Sequence, residues 1–71
     1  MPNISNQIRR LRFEHGEMTQ QKLAELAGVT RQTIIAIEGG KYTPSLELAF
    51  RLCRAFDVGV EDAFCWKEDS Q

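Results

Sequence analysis

The sequence predicts an all-α fold of five short helices packed as one domain. Three observations carry that expectation. Apolar residues recur at spacings of three and four in successive segments. Threonine, serine and glycine stand at the ends of those segments, where helix caps belong. A length of 71 residues suits a single core.

The first helix is expected from about Ser5 to Glu14, with Ile8 and Leu11 inward and Arg9, Arg10 and Arg12 largely outward. His15-Gly16-Glu17 breaks it. Thr19 caps the second helix, and Gln20, Gln21 and Lys22 form its first turn. Leu23, Leu26 and Ala27 give its apolar stripe, and Ala24 sits where a neighbouring helix must come close. Gly28 follows the last helical residue and suits a left-handed cap, which a residue bearing a β-carbon adopts less readily. Val29 packs under the turn, and Thr30 caps a third helix with Ile34 and Ile37 inward. Gly39-Gly40 ends that helix, and Lys41-Tyr42-Thr43-Pro44 reads as a loop. Ser45 caps the fourth helix, whose apolar face is Leu46, Ala49, Leu52, Cys53 and Phe56. Asp57-Val58-Gly59 turns the chain into a short fifth helix from about Val60 to Ala63. The alternation in Phe64-Cys65-Trp66-Lys67-Glu68 is strand-like, and Pro2-Asn3-Ile4 is short enough to pair with it. Residue pattern alone leaves both ends as coil.

The segment 19–38 is the most specific feature. Two short helices meet at a glycine turn, and the second presents long polar residues at its start. That is the layout of a helix-turn-helix whose second helix enters the DNA major groove. Leucines, alanines and isoleucines at these spacings form cores in many bundles that never meet DNA. The functional weight comes from all the positions falling in register. Arg31 and Gln32 are expected to read bases, because arginine can donate twice to guanine and glutamine can pair with adenine's edge. Thr33 is placed to reach a base or phosphate. Ala36 and Ile35 offer apolar contact to a thymine methyl. The helix start at Gln20 suits a phosphate. Thr30, the Gly39 and Gly40 backbone amides, Lys41 and Tyr42 are the expected phosphate contacts on the other flank. A solvated surface charge is the better expectation for Arg9 and Arg10.

With these residues in place, the chain resembles the Cro and phage-repressor type of helix-turn-helix regulator, the XRE family. The likeness is nearest to its compact stand-alone class, similar to the cytolysin-operon repressor. It runs from about Ile8 to Trp66. It is carried by Ile8-Arg9-Arg10-Leu11-Arg12, Met18-Thr19-Gln20, Thr30-Arg31-Gln32-Thr33-Ile34 and Ile37-Glu38-Gly39-Gly40-Lys41-Tyr42, and further by Pro44-Ser45-Leu46-Glu47-Leu48-Ala49 and Val60-Glu61-Asp62-Ala63-Phe64-Cys65-Trp66. The resemblance implies a lambda-repressor-like DNA-binding domain with a small two-stranded antiparallel sheet formed by the chain termini. It also implies an Arg12–Glu38 ion pair, and a Gln20 that both contacts phosphate and braces the recognition helix. The chain departs from the family pattern in three places. Glu17 is an extra residue before the first motif helix, Gly39 replaces a usual polar residue, and Ile35 and Ala36 are both apolar.

The net charge of −1 runs against the basic balance common in DNA-binding domains, but the charge is unevenly distributed. Residues 1–44 hold six basic and four acidic side chains, and residues 45–71 hold three and six. The motif half is therefore positive and the far half acidic, which orients the molecule on a duplex. The two cysteines, Cys53 and Cys65, have neither metal-site nor redox-motif spacing, and no cofactor or metal is expected. His15 stands alone, without a catalytic constellation around it, so no enzyme is expected. Nothing in the chain reads as a membrane span or signal peptide, which points to a cytoplasmic protein.

One recognition helix covers few base pairs, so useful specificity calls for two, related by a two-fold axis. Val58, Val60, Ala63, Phe64 and Trp66 exceed what a fifth helix needs for its own packing, which places a homodimer surface at about residues 58–67. The expected function is a homodimeric repressor on double-stranded DNA with a palindromic operator. An antitoxin-like protein-interaction module with secondary DNA binding is the alternative, and a regulatory partner protein is compatible with either.

Overall fold

Thr19, Thr30 and Ser45 each accept a hydrogen bond from the backbone N–H three residues on, namely Lys22, Thr33 and Leu48. Each bond satisfies an otherwise orphaned donor of a helix's first turn. These caps start three of the five helices in the computed structural model, which describes residues 3–68. The elements run β1 (Ile4–Asn6), α1 (Ile8–Glu14), α2 (Gln20–Ala27), α3 (Arg31–Glu38), α4 (Leu46–Phe56), α5 (Val60–Ala63) and β2 (Phe64–Trp66). Gly28 adopts the left-handed conformation at φ 75°. It lets Val29 N–H turn back to Ala24 O at 2.9 Å, which closes α2 and re-aims the chain into α3.

The core is Ile8, Leu11, Leu23, Ala24, Ala27, Ile34, Ile37, Leu48, Leu52, Cys53, Phe56 and Ala63. Ala49 is buried beside this cluster, but two expected core positions are not buried. Leu26 and Leu46 are exposed. At about 100° per residue, Leu26 points well away from the Leu23–Ala24–Ala27 face. Leu46 is the first residue of α4 and is 71% exposed.

The chain ends pair as the resemblance implied, in a two-stranded antiparallel sheet with Ile4 opposite Trp66, Ser5 opposite Cys65 and Asn6 opposite Phe64. The first strand sits later than expected, and Pro2 lies outside the described residues. Lys67 N–H extends the ladder to Asn3 O, and Gln7 N–H reaches Ala63 O. Because residues 4–6 are extended, α1 begins at Ile8 rather than near Ser5, and Asn6 Oδ1 accepts from Ile8 N–H at 3.1 Å.

Two of the left-handed positions among the described residues are not glycines. Asp57, not Gly59, takes φ 57° after α4, while Gly59 precedes α5 with ordinary extended backbone. Asp62 reaches back to Gly59 N–H at 2.9 Å. Glu17 takes φ 56° directly after Gly16 at φ 75°. Two successive left-handed residues absorb the extra position, and Met18 N–H still closes onto Arg12 O at 2.8 Å.

Candidate nucleic-acid interface

Arg31 and Gln32 open α3 and are both exposed. Thr30 supplies the cap beneath them, and its Oγ1 lies 3.1 Å from Thr33 Oγ1. Thr33 is half-buried, so its hydroxyl is engaged at the cap while the two residues before it remain free to project. Ile34 and Ile37 anchor the opposite side of α3 in the core. Ile35 is exposed and Ala36 half-buried, giving the outer surface of α3 an apolar stretch one turn beyond the polar head.

The far end of α3 is held by charge. Arg12 Nε and Nη2 donate to the two carboxylate oxygens of Glu38 at 2.6 and 3.0 Å. This is the bidentate geometry in which the planar guanidinium matches a carboxylate. Arg12 Nη1 also donates to Met18 O at 2.8 Å, just before α2 begins. Gln20 Nε2 donates to Glu38 Oε1 at 3.2 Å. Arg12, Glu38 and Gln20 thus join α1, the start of α2 and the end of α3. The ion pair that the resemblance implied is present, with Gln20 bonded to the same carboxylate. The backbone N–H groups of Gln20 and Gln21 head α2 ahead of the capped Lys22, where an anion is favoured.

On the other flank, the backbone amides of Gly39, Gly40 and Lys41 donate internally to Ile35 O, Ile37 O and Ala36 O. The expected phosphate contacts from the Gly39 and Gly40 amides are therefore corrected. Those donors close the C-terminus of α3, with Gly40 left-handed at φ 74°. The exposed side chains of Lys41 and Tyr42 carry what that loop can offer a phosphate. Along α1, Arg10 pairs with Glu14 at 3.5 Å, whereas Arg9 is exposed and has no ion-pair partner among the described residues.

The residues expected at a dimer surface divide. Ala63 has no exposed surface. It belongs to the core, because α5 packs that side chain inward against α4, so the expectation is corrected there. Val58, Val60 and Phe64 are half-buried, and Trp66 remains 60% exposed. The sequence missed the rest of this face. Leu46 and Phe50 are 71% and 52% exposed. An apolar groove of about 230 Å³ runs between Ile4, Pro44, Leu46, Ala49, Val60 and Phe64. The i, i+4 spacing of Leu46 and Phe50 was the available signal.

Three further side chains tie elements together. Asn6 Nδ2 donates to Ile37 O at 2.9 Å. His15 sets its two ring nitrogens 2.8 Å from Leu11 O and 3.1 Å from Phe56 O, with its ring against that of Phe56 at 5.1 Å. Arg51 contacts Ala27 O at 3.5 Å and Glu47 at 2.7 Å. Cys53 is buried and Cys65 exposed, and neither forms a disulfide. Burial first, and the Asp62 carboxylate second, push the Cys53 thiol above its ordinary value of 9.0, which keeps it protonated and unreactive near neutral pH.

A helix-turn-helix with a capped polar helix start and a braced far end defines a DNA-binding regulator. A family model described as helix-turn-helix matches residues 8–62, and the chain belongs to the XRE-type helix-turn-helix family. It is 48% identical over 66 residues to an uncharacterized HTH-type transcriptional regulator of Methanocaldococcus jannaschii, covering 93% of this chain and 98% of that protein. It is 46% identical over 67 residues to the uncharacterized HTH-type transcriptional regulator YgzD of Bacillus subtilis, covering 94% and 100%. Among solved structures, the restriction-modification controller protein C.AhdI from Aeromonas hydrophila superposes with a TM-score of 0.72 at 31% identity, over 78% of this chain and 82% of that one. These likenesses place the chain among transcriptional regulators with a DNA-binding fold rather than among enzymes. No helix among the described residues is long and apolar enough to cross a membrane.

Proposed function

We propose that the protein is a cytoplasmic, homodimeric transcriptional repressor that reads a palindromic operator through the major groove. The observation that carries this reading is the exposed Arg31–Gln32 pair on the capped start of α3, with Ile34 and Ile37 rooted in the core behind it. Arg31 donates to the O6 and N7 of a guanine, and Gln32 pairs with the N6 and N7 of an adenine. Thr33 stays near the cap, while Ile35 and Ala36 meet thymine methyls. Gln20, Thr30, Lys41 and Tyr42 hold phosphates and fix the register of the helix in the groove.

A second copy docks on the groove formed by Ile4, Pro44, Leu46, Ala49, Val60 and Phe64, with Phe50 and Trp66 beside it. Large exposed apolar side chains clustered on one face are a signature of association. Pairing by a two-fold axis sets the two recognition helices roughly 34 Å apart, one turn of the duplex.

The test is selection from a random duplex pool, followed by sequencing of the bound fraction. A two-fold symmetric motif with half-sites about 10 base pairs apart supports the reading. In sedimentation, wild type runs as a dimer and Leu46→Glu as a folded monomer. Absence of any enriched motif at low salt overturns the operator reading and favours a protein-interaction module of the antitoxin type.

A further inference from the structure

Asn6 belongs to β1, yet both ends of its side-chain amide are used by other elements. Its Oδ1 accepts from Ile8 N–H at 3.1 Å, capping the first turn of α1. Its Nδ2 donates to Ile37 O at 2.9 Å in the last turn of α3, across 31 positions of sequence. Ile37 O also accepts from Gly40 N–H at 3.0 Å, so Asn6 enters the group of bonds that terminates the recognition helix. Glu38, the next residue, is gripped by Arg12 and Gln20 from the helical side. The end of α3 is thereby clamped from the bundle through Glu38 and from the terminal sheet through Ile37.

The sheet side of this clamp leads directly to the apolar groove. Ile4, two residues before Asn6 on the same strand, lines that groove, and so does Phe64, the cross-strand partner of Asn6. A single hydrogen-bonded strand residue, Ser5, therefore separates the groove-lining Ile4 from the side chain that holds the recognition helix. A side-chain amide can do both jobs because it carries an acceptor and a donor. A carboxylate at the same place keeps the cap but cannot donate to a carbonyl.

We propose that Asn6 is the positioning residue that fixes the angle of the recognition helix relative to the dimer surface, and so sets how strictly the protein measures the distance between half-sites. This coupling rests on the dimeric operator-binding reading above. Two recognition helices held in fixed register gain from the second half-site through effective concentration. Loosening one end of each helix lowers that gain without removing any base contact.

The experiment uses the full-length protein and the duplex selected by wild type. Affinity is measured for that duplex, for versions with one base pair added or removed between half-sites, and for an isolated half-site. Wild type is expected to favour the full site over the half-site by about a hundredfold or more, with a sharp optimum in spacing. Asn6→Asp retains the α1 cap and is expected to keep half-site affinity within about twofold while its full-site gain falls about tenfold and its spacing optimum flattens. Asn6→Ala loses both bonds and should melt earlier, but Asn6→Asp carries the test even if the alanine variant does not fold. A plain loss of stability scales half-site and full-site binding together and leaves their ratio unchanged. An Asn6→Asp protein with the wild-type ratio and optimum overturns the positioning role alone. A wild type that selects no two-fold site overturns the operator reading and this role with it.

Discussion

Removing the Glu38 carboxylate should damage the fold more than it alters which bases are read. Arg12 and Glu38 have side chains only 16% and 9% exposed, so Glu38→Ala strands a cation that water reaches poorly. Breaking a fully buried pair from one side costs about 3–5 kcal/mol. Two features of this site reduce that figure. Arg12 keeps its bond to Met18 O, and its remaining exposure lets water solvate part of the charge. A loss of about 2–3 kcal/mol is expected. For a domain of this size that lowers the melting temperature on the order of 10–20 °C, out of a total stability that is small to begin with. Urea denaturation of wild type, Glu38→Ala, Arg12→Met and the double variant Arg12→Met/Glu38→Leu measures it. The double variant should recover much of the loss, because it removes the stranded charge along with its partner. Base preference at the selected site should be unchanged wherever the variant is folded. An unchanged melt, or a normal melt accompanied by a switched base, would refute the bracing role.

Arg31→Ala should relax one base position in each half-site by about 1–3 kcal/mol, read from repeated selection. Lys41→Ala should weaken binding to all sequences alike and flatten the plot of log affinity against log salt by about 0.9. Glu17→Gly should stabilise the fold by about 1 kcal/mol in chemical denaturation, because a side chain at φ 56° occupies a conformation that glycine takes without penalty. A thiol reagent should label Cys65 in the native protein and Cys53 only on unfolding. Since the folded state holds the Cys53 proton more tightly than the unfolded chain, that contribution to stability is intact below the ordinary value of 9.0 and disappears as pH climbs through the raised one.

The motif was legible because its signals are local. The Thr19, Gly28 and Thr30 caps each depend on residues within a few positions, so the bounds of α2 and α3 follow from short-range chemistry. Arg12–Glu38 and the terminal sheet were legible through family likeness, since nothing local marks residues 26 apart as partners. The misplacements have common causes. The start of α1 was set too early because Asn6 is tied to Ile37, a contact no window of sequence can display. Leu26 and Leu46 were counted inward because hydrophobicity was allowed to outrank angular position on the helix. Gly39 and Gly40 were read as free donors because glycine flexibility is visible in sequence and the carbonyls that consume their amides are not. Within the expected Asp57-Val58-Gly59 turn it is Asp57 that is left-handed, since α4 continues to Phe56 and takes its cap there.

The two strands flank all five helices in the chain, so a ribosome finishes every helix before it releases Phe64–Trp66. Until then Ile4–Asn6 has no strand to pair with, and the groove that Ile4 and Phe64 line together is incomplete. The loop the sheet closes is long, yet closure entropy grows only slowly with length, and the helical core brings the ends near each other beforehand. Fraying the sheet at either chain end therefore also opens the groove, although the two strands stand at opposite ends of the sequence.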